Sequence, residues 1–121
     1  MAGGISIHGV DVARGLPAEG LEVELHHLGS ASGSERTLVA SGRLGSDGVL
    51  DHPSKLGHGI TGGTYEALFH IGAWLRATGY PEDQLGFLDT VPFRFVVGDV
   101  ERHYHLPLKF TPWGIMLFRG S

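Results

Sequence analysis

A chain of 121 residues, 41% hydrophobic and 18% charged, has the size and composition of one folded domain, which excludes a disordered chain and a membrane protein. The formal net charge of −4 excludes the clustered Lys and Arg surplus that a nucleic-acid partner requires. Cysteine is absent, which excludes disulfides, a thiol nucleophile and a thiolate metal site. We therefore expect one domain over residues 1–121, a small-molecule substrate, and no nucleic-acid or membrane partner.

Short runs with period-2 alternation, separated by Gly and Pro, predict an all-β protein. The predicted strands lie at residues 5–10, 21–27, 37–42, 64–70, 91–97, 102–110 and 113–118. Seven or eight strands of this length indicate a β-sandwich.

Three segments interrupt the strand pattern. Residues 29–34 form a polar hairpin loop, and Ser-Asp-Gly at 46–48 is typical of a tight turn with a residue at positive φ. Residues 71–78 have helical spacing and stop before Gly-Tyr-Pro, which predicts one short helix.

The start of the chain lacks the basic and apolar regions of a leader peptide, so we expect a cytoplasmic location.

Three histidines have positions that suit proton transfer. His103 and His105 are two apart in a predicted strand, so their side chains leave the same face of the sheet. His8 lies in the first predicted strand. Imidazole has the ordinary pKa closest to neutrality, so two or three that face one pocket can take a proton from water and return it to a leaving group.

The same spacing has two other interpretations. A solvent-facing strand would carry His103 and His105 without a chemical role, and a His-x-His pair could present two nitrogens to zinc. The third zinc ligand would have to be His8 or a carboxylate from elsewhere. Because no further tightly spaced ligands accompany the pair, we predict no metal.

The chain ends directly after a predicted strand. Apolar residues dominate 113–118, so Arg119, Gly120 and Ser121 are expected to be held at the sheet instead of fraying. The hydroxyl and the α-carboxylate of Ser121 would then occupy a fixed place.

Both ends of the chain carry dense sequence motifs. Residues 5–11 read Ile-Ser-Ile-His-Gly-Val-Asp, and Gly-Leu-Pro-Ala follows at 15–18. Residues 103–108 read His-Tyr-His-Leu-Pro-Leu, with Pro-Trp at 112–113 and Phe-Arg-Gly-Ser at 118–121. These motifs and their spacing resemble those of the transthyretin-like 5-hydroxyisourate hydrolases. Further matching segments lie at 63–66, 69–72 and 87–92.

The resemblance implies a transthyretin-like (prealbumin) β-sandwich of two four-stranded sheets, assembled as a homotetramer of two dimers with active sites in the channel between them. It also implies hydrolysis of the lactam ring of 5-hydroxyisourate, in the route from urate to allantoin, without a cofactor. His8 and His105 match the family's two principal catalytic histidines, and Ser121 matches its terminal serine. His103 would be a neighbour in the site.

Three substitutions depart from the family pattern. The family turn reads Asp-Gly-Arg and its arginine enters the site, whereas this chain has Val49 at that position. Gly9 replaces a valine beside His8, and Phe118 replaces a tyrosine. These changes predict a roomier and more apolar pocket, which Arg119 would also help to line.

Lys109 is a candidate to replace the missing positive charge. It shares the strand face of His103 and His105 if no bulge intervenes. An exposed lysine on a strand edge is the alternative interpretation. Arg43 is a second candidate, although a strand residue six positions before Val49 is expected to point elsewhere.

Three functions are compatible with these residues. The first is a 5-hydroxyisourate hydrolase with a substituted cation. The second is a diverged enzyme that uses His8, His103 and His105 to open or close a larger, more apolar cyclic substrate. The third is a non-enzymatic carrier like transthyretin. We favour a hydrolase that opens a cyclic amide, because transthyretin-type carriers lack the His-Tyr-His and terminal Arg-Gly-Ser motifs.

Overall fold

The computed structural model describes residues 3–29 and 36–120. Within these ranges the chain forms eight strands, one α-helix and two short 3-10 helices. The strands are β1 (Ile5–Asp11), β2 (Leu16–Pro17), β3 (Glu22–His27), β4 (Thr37–Arg43), β5 (Gly63–His70), β6 (Thr90–Val97), β7 (Tyr104–Thr111) and β8 (Gly114–Leu117). The α-helix is α1 (Ile71–Ala77), and the 3-10 helices are Pro53–Leu56 and Glu82–Gln84.

The described strands form two four-stranded sheets, with the orders β2-β1-β7-β8 and β4-β3-β5-β6. We name them the β1–β7 sheet and the β3–β5 sheet after their central strands. β1 and β7 run parallel, whereas the other neighbouring pairs are antiparallel. The predicted all-β sandwich of two four-stranded sheets with one short helix is confirmed.

Period-2 alternation sends every second side chain of the central strands into the core between the sheets. In β7, Leu106, Leu108 and Phe110 are buried, and in β1 so are Ile5 and Ile7. The largest fully buried side chains are Tyr65, Phe69, Phe110, Ile5, Ile7, Leu21, Leu25, Leu50, Ile71, Leu75, Leu106 and Leu108. The core leaves the other faces of β1 and β7 free to carry polar groups.

The seven predicted strands are confirmed, with ends that move by at most two residues. β2 was not predicted, because a strand of two residues is too short to show any alternation. Of the predicted hairpin loop at 29–34, positions 30–34 lie outside the described residues.

The predicted helix is confirmed as α1. It buries Ile71, Trp74 and Leu75 against the core, and the Trp74 indole donates a hydrogen bond to Glu19 O at 2.7 Å. Gly79, at φ 86°, allows the chain to turn away after the last helical residues. No helix within the described residues has the length and apolar character needed to span a membrane.

Asp11, at the end of β1, is a fully buried carboxylate. The Tyr80 hydroxyl lies 2.8 and 2.7 Å from its two oxygens, and the Arg14 backbone N–H donates to Oδ1 at 3.2 Å. Burial, followed by the hydrogen bond to Asp11, raises the pKa of Tyr80 to about 12, so its hydroxyl remains a donor at neutral pH. This contact ties β1 to the segment that follows α1.

Replacing Tyr80 with Phe is expected to lower the free energy of unfolding by about 1–3 kcal/mol, because the buried Asp11 carboxylate loses one of its hydrogen-bond donors. Urea denaturation at fixed protein concentration measures the change. In an Asp11→Ala background the same replacement should cost much less, since the acceptor has been removed. Equal costs in both backgrounds would show that the two side chains are not coupled.

Candidate active site

The outward face of the β1–β7 sheet carries the predicted histidines. Ser6 and His8 alternate with the buried residues of β1, so both point away from the core. The parallel register places Ser6 beside His105 and His8 beside Pro107. Side chains 99 positions apart in the sequence are therefore neighbours on one surface.

The rings of His8 and His105 face each other. Their centroids are 6.4 Å apart and their planes differ by 23°. His8 donates through Nε2 to the Asp47 carbonyl oxygen at 3.2 Å, since a carbonyl can only accept. Two imidazoles at this separation can both reach one small molecule bound above the sheet.

β7 begins at Tyr104, two residues later than predicted, so His103 lies just before the strand. Its side chain still turns to the same region, where Nδ1 donates to Gly3 O at 2.7 Å and Nε2 lies 2.8 Å from Ser6 Oγ. His103 is exposed, whereas His105 is partly covered. His103 and His105 therefore lie close together, as expected, and both contact the same side chain, Ser6.

That partner, Ser6, was not identified from the sequence. Its hydroxyl lies 2.6 Å from His105 Nδ1 as well as 2.8 Å from His103 Nε2, and the residue is only 9% exposed. The clue available in the sequence was its position two residues before His8, which places both side chains on one strand face.

Two glycines pack against the catalytic histidine candidates. A Cβ at Gly120 would come within 2.8 Å of His105 Cδ2, and a Cβ at Gly48 would lie 3.1 Å from His8 Nε2. Gly48 also has φ 80°, which confirms the predicted tight turn. Only glycine at these two positions allows the backbone to approach the imidazoles so closely.

The electrostatics of the site favour a neutral His105. Burial chiefly, and then the neighbouring His8 and His103, lower the pKa of His105 below the ordinary value for histidine. A neutral imidazole with a free nitrogen lone pair is the form that a general base requires.

Comparison with known proteins places this geometry in a family. A model of the HIUase/Transthyretin family matches residues 5–120. The chain belongs to this family. It is 39% identical over 120 residues to 5-hydroxyisourate hydrolase 2 of Rhizobium meliloti, with 99% of this chain and 98% of that protein covered.

Solved structures agree with the family assignment. An (S)-allantoin synthase structure superposes with a TM-score of 0.88 at 34% identity, covering 99% of this chain and 44% of that chain. The 5-hydroxyisourate hydrolase of Klebsiella pneumoniae gives a TM-score of 0.78 at 26% identity, covering 98% and 99%. The resemblance read from the end motifs is thereby confirmed.

Val49 lies where the resemblance places the arginine of the HIUase/Transthyretin family. It forms an isolated antiparallel bridge with His8, and its backbone N–H donates to Asp47 Oδ1 at 3.0 Å. Antiparallel partners share a face, so the Val49 side chain lies beside the His8 imidazole. An apolar side chain therefore occupies the place expected for a guanidinium.

Lys109 and Phe118 lie on the same surface, beyond the histidines. β7 and β8 pair Lys109 with Met116, and the His105–Gly120 bridge continues that register. The exposed Lys109 ammonium lies 6.0 Å from the centre of the Phe118 ring.

Gly9 does not enlarge the site, which corrects the prediction from the sequence. A Cβ at this position would lie 2.7 Å from Leu44 Cδ1 and 3.4 Å from the Ala18 Cβ, so it would point into the core. The physical reason is the period of the strand, because a neighbour of the outward-facing His8 must face inward.

Two arginines lie away from the facing imidazoles. Arg43 lies opposite Glu22 in the register of β3 and β4, in the β3–β5 sheet, as expected for a residue that points elsewhere. The Arg119 guanidinium lies over the Tyr104 ring, 4.2 Å from its centre, and donates to His103 O at 3.1 Å. These contacts hold Arg119 beside His103 and Tyr104.

Ser121 lies outside the described residues. The preceding Gly120 donates its backbone N–H to His105 O at 2.7 Å, which holds the chain at the site up to that point. Within the described ranges, no group of three or more His, Asp or Glu side chains is arranged to hold a metal ion.

An NMR titration of the histidine Cε1 protons is expected to give a midpoint for His105 below about 6.5, the ordinary value for histidine. The lowered pKa means that the folded protein binds this proton less readily, so the base form persists to lower pH. A His105→Gln spectrum assigns the resonance. A midpoint at or above the ordinary value would contradict the burial argument.

Proposed function

We propose that this protein hydrolyses the lactam ring of 5-hydroxyisourate. The observation that carries the proposal is the pair of facing imidazoles, His8 and His105, on the outward face of the β1–β7 sheet. Support comes from a relative named 5-hydroxyisourate hydrolase that matches over nearly its whole length. The resemblance also assigns the family's two principal catalytic histidines to His8 and His105 of this chain.

In the proposed reaction His105 is the general base. It takes a proton from water while the water oxygen bonds to the ring carbonyl carbon, which leaves a negative charge on the carbonyl oxygen. The ring carbon–nitrogen bond then breaks, the carbonyl re-forms, and the imidazolium returns its proton to the departing nitrogen. His8 acts as the second acid or orienting donor in its protonated form, because the single N–H of its neutral ring is donated to Asp47 O.

Ser121 keeps its proposed role of orienting the ring or the water. The support is the position of Gly120, which is hydrogen-bonded to His105 and packed on its ring. Ser121 directly follows Gly120 in the sequence, which supports a role for its hydroxyl at the same imidazole.

The negative oxygen of the transition state needs a fixed donor or cation. Val49 offers neither from its side chain. We assign the role to Lys109, whose ammonium leans over the Phe118 ring on the surface shared with His8 and His105. Its exposure makes it a weaker donor than a buried group, because water screens its charge.

A second candidate function is favoured by the apolar residues of this surface. Val49 beside His8, and Phe118 at 40% exposure, would suit a larger and less anionic cyclic substrate than 5-hydroxyisourate. The same histidines would then open or close a different ring.

Purified protein is expected to accelerate the loss of freshly generated 5-hydroxyisourate, followed by ultraviolet absorbance. His105→Ala should lower kcat by about 10²–10⁴-fold, the range for loss of a positioned general base. His58→Ala, which removes an exposed histidine outside the site, is the matched control and should leave turnover unchanged.

Further variants separate the two candidates. Lys109→Met should lower kcat/KM by about 10-fold, less than the 10²–10³-fold typical of a fixed donor, while Lys55→Met should have no effect. A wild type without activity, combined with a gain in Val49→Arg, would favour the diverged substrate. Saturable binding of 5-hydroxyisourate without turnover in either protein would favour a carrier.

We further propose the homotetramer of two dimers that the resemblance implies, in the cytoplasm. Exposed apolar side chains near the site support an assembly, since such groups are otherwise placed in contact with water. They are Val12, Leu16, Trp113, Ile115 and Met116. Strands β6 and β8 are sheet edges that another subunit could extend.

Light scattering after size exclusion is expected to give four times the 12.9 kDa chain mass at micromolar concentration. Trp113→Lys places a charge among these apolar side chains and should reduce the mass. A wild-type mass equal to one chain would remove the tetramer from the proposal.

A further inference from the structure

Gly3, His103, Ser6 and His105 are linked by three consecutive hydrogen bonds. Gly3 O lies 2.7 Å from His103 Nδ1, His103 Nε2 lies 2.8 Å from Ser6 Oγ, and Ser6 Oγ lies 2.6 Å from His105 Nδ1. Ser6 is largely buried, so water competes weakly for its hydroxyl. The protein's own groups therefore determine where its single proton points.

The chemistry of each group fixes the direction of these bonds. A carbonyl oxygen only accepts, so His103 carries its proton on Nδ1. A neutral His103 with its proton on Nδ1 has its free electron pair on Nε2, which accepts from the Ser6 hydroxyl. Having donated its one proton, Ser6 must accept from His105, whose Nδ1 is therefore protonated and whose Nε2 carries the free electron pair.

We propose that Ser6 and His103 are positioning residues that hold His105 in the Nδ1–H tautomer, with Nε2 available to accept a proton from water. The tautomer of a histidine is set by the hydrogen bond of its other nitrogen, and a base in the wrong tautomer cannot take the proton. The consequence for turnover rests on the proposed function, whereas the tautomer itself does not.

His8 provides an internal comparison. Its Nε2 donates to Asp47 O, so the neutral ring carries the proton on the nitrogen opposite to that of His105. The two facing imidazoles are thus held in different tautomers by different strands and loops. The free electron pairs of the two rings are therefore on His105 Nε2 and His8 Nδ1.

The first experiment is two-bond ¹H–¹⁵N correlation NMR of histidine-labelled, full-length protein at pH 8. His105 is expected as the Nδ1–H tautomer and His8 as the Nε2–H tautomer. Ser6→Ala should move His105 toward the Nε2–H form that a free histidine side chain prefers in water. Ser6→Thr keeps the hydroxyl and should keep the tautomer, and Ser41→Ala is a matched control for hydroxyl loss in the exposed strand β4.

Kinetics on 5-hydroxyisourate provide the second measurement. Ser6→Ala should lower kcat by about 10-fold to 100-fold with little change in KM, which is part of the 10²–10⁴-fold that a positioned proton-transfer group contributes. His103→Gln retains a side-chain oxygen that accepts from Ser6 and should restore much of the rate lost in His103→Leu.

The outcomes separate this proposal from the proposed function. An Nε2–H tautomer for His105 in the wild type, or a Ser6→Ala protein with an unchanged tautomer, would overturn the positioning role. A wild type that fails to hydrolyse 5-hydroxyisourate, but shows the expected tautomer and its change in Ser6→Ala, would overturn the substrate and support the positioning role.

Discussion

Parallel pairing of β1 with β7 aligns Ser6 with His105 and His8 with Pro107, and the geometry of the histidine site depends on that register. A slip of one residue would turn His105 into the core and Leu106 out to solvent. Burying a large aliphatic side chain contributes about 1.5–3 kcal/mol, and both strands bury several of them. Burial of the inward-facing side chains thus fixes the β1–β7 register, and this register positions the histidines on the outward face.

The two sheets differ in the charges on their outward faces. On the β3–β5 sheet, Glu66 binds Arg36 at 2.8 Å and Arg94 at 2.9 Å, while Glu24 contacts the imidazoles of His26 and His70. These partners lower the pKa values of both carboxyls, so the charges there are satisfied locally. On the histidine face of the β1–β7 sheet, burial instead lowers the pKa of His105.

Much of this arrangement could be predicted from the sequence, because strand alternation and helical spacing are local properties. The same alternation put His103 and His105 on one strand face, and the resemblance carried by the end motifs put His8 in the same site as His105. Gly9 was misassigned because a family comparison was followed where the strand period already required an inward direction.

Ser6 and β2 were missed for different physical reasons. A serine in a strand has no distinctive spacing, and its role arises only when the parallel register brings two histidines within hydrogen-bond distance. β2 spans two residues, and it exists because the turn after Asp11 folds back onto β1. The role of Ser6 arises from a tertiary contact that no local pattern encodes, whereas β2 is a local hairpin strand too short to show a pattern.

The pairing of β1 with β7 also determines when the molecule becomes complete during its synthesis. Ser6 leaves the ribosome 99 residues before His105, which at about 5–20 residues per second is a delay of roughly 5–20 s. The β3–β5 sheet is drawn from the stretch between them and can pair during that interval. Throughout the delay Ile5 and Ile7 lack β7, the strand that pairs with β1 in the folded protein. The histidine face therefore forms only after the strands of the β3–β5 sheet have been synthesised.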